Sequence, residues 1–67
     1  MNENIKEYLR YVEDTLIRKY NITQDLSRKI ISESYLPDSI TNYSEECLHE
    51  DIEEVSDNIY HDYLEGV

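Results

Sequence analysis

The residues of this chain that could do chemistry crowd into its second half. Glu46, Glu50, Glu53, Glu54 and Asp57 recur at spacings of three and four, and His49, His61 and the single cysteine, Cys47, stand among them. Paired carboxylates can serve as general acid and base, but only in a cleft that shifts their pKa values. An exposed helix face offers none. A cysteine nucleophile needs an electropositive setting to lower its thiol pKa. Cys47 has Glu45, Glu46 and Glu50 around it instead, so it reads as structural.

Metal chemistry fares no better. The run "HEDIE" at 49–53 approaches the zinc-protease pattern His-Glu-x-x-His, but Glu53 stands where the second histidine belongs. His49 with Glu53, or Asp57 with His61, supplies two ligands, and no third well-placed histidine or cysteine is evident. The expectation is a protein without a cofactor, a metal or a catalytic residue.

What the carboxylates can form is a surface. On a helical wheel at 100° per residue, Leu48, Val55, Ile59 and Tyr63 fall within about 60° of Ile52. Glu46, Glu50, Glu53, Glu54 and Asp57 fall at about 100° to 200°, with Tyr60 at the edge near 80°. The reading is one long amphipathic last helix, beginning at Ser44 or nearer Leu48 or His49 and closed by Gly66. It has an apolar stripe on one side and an anionic ridge on the other. Neighbouring carboxylates on the ridge stand about 6 Å apart along the axis, a spacing comparable to that of successive phosphates. A solvated face that needs only solubility would mix signs.

The charge is divided as sharply as the chemistry. The net charge is −10, but all six basic residues lie within positions 1–29, where five acidic residues leave +1. Positions 30–67 hold eleven acidic residues and no basic ones, −11 in all. Such a surface repels nucleic acids and anionic membranes and attracts basic proteins. Direct nucleic-acid binding and membrane association are therefore not expected.

Sixty-seven residues make a single domain, 1–67, with a thin core. Seven Tyr and no Phe or Trp suit half-buried positions and interfaces. One cysteine excludes an intramolecular disulfide. No basic stretch followed by an apolar run marks a signal peptide, and no apolar run approaches the roughly 20 residues of a membrane span. A cytoplasmic protein is expected.

The elements that must position the ridge all read as helices. Ile5, Leu9, Val12, Leu16 and Tyr20 form one stripe of a first helix from about Asn4 to Tyr20, which Asn21 ends. Thr23 is the expected N-cap of a second helix, with Leu26 and Ile30 as its main stripe. Pro37 disfavours a helical Leu36, so this helix should stop near Tyr35. Pro37 opens at most one short turn that packs Ile40 inward. Tyr20 and Tyr63 are assigned to the core or its edge, and Tyr8, Tyr11, Tyr35, Tyr43 and Tyr60 to the flanks. The expected fold is all-α, a compact three-helix bundle with an extra short turn in the 37–44 connector.

The runs "ITQDLSRKIISESYLPDSI" and "LHEDIEEVSDNIYHDYL" resemble small acidic helical proteins of Gram-positive bacteria, their prophages and mobile elements. The resemblance covers about two-thirds of the chain and carries no diagnostic motif or functional residue. It implies an all-α fold and, for small acidic proteins of such elements, inhibition of defence or nucleic-acid enzymes. Together these readings predict a non-enzymatic binding module. Its ridge of Glu46, Glu50, Glu53, Glu54 and Asp57, flanked by Tyr60, docks on the basic surface of a protein partner such as a nuclease, as a nucleic-acid mimic. The alternative is a homodimeric structural or regulatory protein, joined through Ile17 and Ile31, whose acidic face serves only solubility.

Overall fold

The computed structural model describes residues 3–48 and 50–66, with residues 43–48 described by their backbone. Four helices follow in order: α1 Glu3–Tyr20, α2 Gln24–Glu33, α3 Leu36–Leu48 and α4 Ile52–Glu65. There is no strand among the described residues. The all-α expectation holds, and the three-helix bundle is corrected to four helices.

Helix α1 forms as its periodicity predicts, and Val12 and Leu16 are fully enclosed. It ends at Asn21, whose φ of 53° places it in the left-handed region that Asn tolerates better than most residues. The chain then reverses. Thr23 caps α2 by accepting the Leu26 amide at 3.1 Å, which satisfies one of the four free N–H groups of the first turn. Helix α2 lies antiparallel to α1: Arg28 reaches Glu13, while Ile31, one turn further on, shares a groove with Leu9. Ser27, fully buried, donates its hydroxyl to the Glu13 carbonyl at 3.0 Å, so the two helices approach closely without an orphaned polar group.

The connector is where the sequence reading departs from the structure. Helix α2 stops at Glu33, and Leu36 begins a thirteen-residue helix instead of a short turn. Ser34 makes the corner. Its backbone is extended, its hydroxyl donates to the Ile31 carbonyl at 2.6 Å, and it accepts the Leu36 amide at 3.1 Å. Pro37 falls in the first turn of α3, where its missing N–H would have had no helical acceptor. The restriction on Leu36 is therefore absorbed at a helix start rather than ending structure altogether. Leu36 and Ile40 are both buried, so the inward packing of Ile40 is as expected.

Helix α4 begins later than the wheel assumed. Asp51 is its N-cap, accepting the amides of Glu53 at 2.8 Å and Glu54 at 3.3 Å. Glu53 and Glu54 then occupy the first turn, where the helix dipole favours a carboxylate. Val55 and Ile59 are buried as the stripe predicts, and Ile52 and Tyr63 pack at the core's edge. Helix α4 runs alongside α1 in the same sense: Ile52 shares a cleft with Tyr8 and Tyr11, and Tyr60 meets Tyr20.

The four helices enclose one core of Tyr8, Val12, Leu16, Ile30, Leu36, Ile40, Val55 and Ile59. Tyr8, placed on the flank by the sequence reading, is a core residue at 5% exposure. Each fully buried aliphatic side chain contributes about 1.5–3 kcal/mol, so a core this small leaves little margin. The Cα radius of gyration of 11.1 Å is close to the roughly 11 Å expected of a compact chain of this length.

Candidate functional site

The expected ridge does not lie on one helix. Glu46 belongs to α3, with its side chain outside the described residues, and Glu50 precedes the N-cap of α4. Glu53, Glu54 and Asp57 do share α4. The physical reason is Asp51. By capping α4 it starts a new helix two residues after Glu50 and interrupts the single wheel on which all five acids would align. His49, the first half of the two-ligand reading with Glu53, lies outside the described residues. Among the described residues, no group of three or more His, Cys, Asp or Glu is placed to hold a metal ion.

On α4 the three acids divide into two environments. Glu53 and Asp57 face the C-terminal end of α1. The Lys19 ammonium bridges them, 3.0 Å from Glu53 Oε1 and 2.9 Å from the Asp57 carboxylate. Asp57 also accepts the Tyr20 hydroxyl. These bonds from Tyr20 and Lys19 hold the Asp57 carboxyl below its ordinary range. The same contacts, with Asp57 first and Glu53 second, push the Lys19 ammonium up. Burial, then the bond to Asp57, pushes the Tyr20 phenol up to about 12. Asp57, 34% exposed at its side chain, is thus committed to holding α4 on α1.

Tyr60 is committed in the same place. Its ring stacks on Tyr20 with centroids 3.7 Å apart and planes within 8°, and it packs against the core. The ring of the neighbouring His61 stands edge-on to Tyr60, with centroids 6.1 Å apart. Tyr60, expected beside the ridge as a partner contact, is half-buried between Tyr20 and the core.

Glu54, about 100° further round the helix than Glu53, is turned away from α1. With Glu50, Asp51, Asn58 and Tyr35 it lines a cleft of about 350 Å³ beside the α2–α3 corner. Among the described residues no ion pair reaches Glu50, Glu54 or Glu65. The cleft places an aromatic side chain on the wall opposite carboxylates, which suits an arginine or lysine side chain by charge and by its apolar stem.

No family model matches this chain, and neither a curated protein nor a solved structure does. The site therefore rests on its own geometry. No helix of the described residues is long and apolar enough to cross a membrane.

The sequence reading missed four members of this face. Lys19 and Tyr20 sit more than thirty positions from Asp57, and no local pattern announces such a pairing. Tyr35 enters only because the α2–α3 corner turns it toward α4. Leu64 is the fourth, 54% exposed. It continues the Glu53–Asp57 row at i+4 and i+11, and the break of α4's apolar stripe after Tyr63 was the signal for it.

Proposed function

We propose that this chain is a non-enzymatic binding module that docks the exposed face of α4 on a basic protein surface inside the cell, in the manner of a small inhibitor of a nucleic-acid-binding protein. One observation carries the reading. The outward face of α4 presents Glu53, 71% exposed at its side chain, together with exposed Glu54, Leu64 and Glu65, and among the described residues Lys19 alone balances it. The other five basic residues pair or stand elsewhere on α1 and α2. Unbalanced carboxylates accelerate and orient encounter with a cationic partner, and exposed Leu64, in the last turn of α4, adds an apolar contact at the far end of the same face.

The acids deepest in the structure, Asp57 above all, hold the platform, and Glu50, Glu53 and Glu54 meet the partner. An arginine-rich helical peptide, immobilised for surface plasmon resonance at low and moderate salt, is a suitable probe. The double variant Glu50→Lys/Glu54→Lys should associate more slowly and show a flatter salt dependence. The control is Glu3→Lys/Glu7→Lys, which changes net charge equally on the exposed start of α1. Equal slowing by both pairs would show that net charge alone governs binding and would remove α4 as the docking face.

A further inference from the structure

A second surface lies on the opposite side of the charge division. Between α1, α2 and α3 runs a groove of about 390 Å³, walled mainly by Leu9, Ile31, Pro37 and Ile40. Through Leu9, Glu13 and Arg28 it opens into a neighbouring cleft that also holds Lys6, Arg10 and, beyond them, Asp14. Glu13 is already bound to Arg28 at 3.1 Å. Lys6 and Arg10, both exposed, have no ion-pair partner among the described residues. The combined surface is an apolar trough with two available cations at one end.

The complement of that surface is present in the same chain. Near the end of α4, Leu64 is exposed and Glu65 beside it has no cation among the described residues. We infer that the groove receives the C-terminal turn of α4 from a second copy of this chain, with Leu64 in the trough and Glu65 against Lys6 and Arg10. The two surfaces differ, so the contact is head-to-tail, and a pair of copies keeps one free groove on one member and one free α4 end on the other. The inference goes beyond the docking reading, since it needs no foreign partner.

The contact is small and belongs with weak, transient interfaces. Like net charges oppose it at long range, so it forms best near physiological salt, where the Debye length of about 8 Å screens repulsion between whole molecules but not a direct pair.

Sedimentation equilibrium of the full chain over a wide concentration range tests this. The weight-average mass should rise with concentration. Leu64→Asp alone should be monomeric throughout, and so should Lys6→Glu/Arg10→Glu. Mixed together, these two variants should form a capped one-to-one pair, because one keeps the groove and the other keeps Leu64. Circular dichroism checks that both variants fold, which surface positions make the expected result. A wild-type mass that stays monomeric across the range overturns the proposal. So does a variant mixture that shows no pairing while the wild type associates, since that pattern marks a different interface. Neither outcome touches the docking of a cationic partner on α4.

Discussion

Tyr20 at the end of α1 and Tyr60 in α4 lie face to face, ring centroids 3.7 Å apart and nearly parallel. They are forty positions apart in the chain, and their contact joins the basic half of the sequence to the acidic half. The pair is worth about 0.5–1.5 kcal/mol beyond the area it buries. Tyr60→Leu keeps an apolar body at the site and removes the stack. It should lower the unfolding free energy from urea titration by an amount in that range, without loss of helix content. An unchanged free energy would show that the rings merely pass close.

The carboxylate beneath that stack makes stability depend on pH at both ends. Asp57 is held below its ordinary 3.8 by Tyr20 and Lys19, so the unfolded chain takes up the proton more readily than the folded one. Its contribution is present above pH 3.8 and is lost as pH falls through the depressed value. Tyr20 is raised from 10.0 to about 12 and Lys19 is raised above 10.5. Their contributions are complete below pH 10 and are lost as pH rises from there through the folded values. Urea midpoints measured from pH 3 to 12 should therefore fall at both limits, and Asp57→Asn should flatten both falls. A variant profile parallel to the wild type would place the titrating groups elsewhere.

Asp51 decides where α4 begins. Its carboxylate accepts two amides that no helical carbonyl can serve. Asp51→Ala should cost about 1 kcal/mol and fray the first turn that carries Glu53 and Glu54. Amide exchange should rise at residues 52–55 and stay unchanged near Tyr63. Uniform exchange along α4 would mean that packing, not the cap, sets its start.

The same residue shows what the sequence revealed and what it hid. The first two helices were legible because their stripes and ends are local: Val12 and Leu16 at helical spacing, Asn21 as a left-handed stop, Thr23 as a cap. The start of α4 was legible too, since Asp51 followed three residues later by Glu54 is a capping-box pattern. The stripe from Leu48 through Tyr63 masks that start, because it stays periodic across the break. Pro37 misled for a related reason. It forbids little in a first turn, and Leu36 and Ile40 already carried the spacing of a helix. The pairing of Lys19 and Tyr20 with Asp57 was not legible, because nothing in either segment encodes which part of α1 meets which turn of α4. The ridge was therefore read as unbalanced along its whole length, when tertiary packing supplies one lysine to its inner edge.

Ser56 offers a test of packing alone. It is fully buried on α4, on the side that carries Val55 and Ile59, and its hydroxyl finds no partner among the described residues. Ser27, the other buried serine, differs by donating across to α1. An unsatisfied buried hydroxyl costs about 1–3 kcal/mol, and in a chain of this size total stability is only about 3–10 kcal/mol. Ser56→Ala removes the hydroxyl, keeps the small volume that lets α4 sit close to its neighbours, and improves helix propensity. It should raise the thermal midpoint, and about 1 kcal/mol corresponds to roughly 4–8 °C for a domain of this length. Ser27→Ala should lower it, since the Glu13 carbonyl then loses a donor. Equal effects from the two substitutions would mean that both hydroxyls are satisfied alike, and that the close approach of the helices rests on side-chain volume rather than on hydrogen bonding.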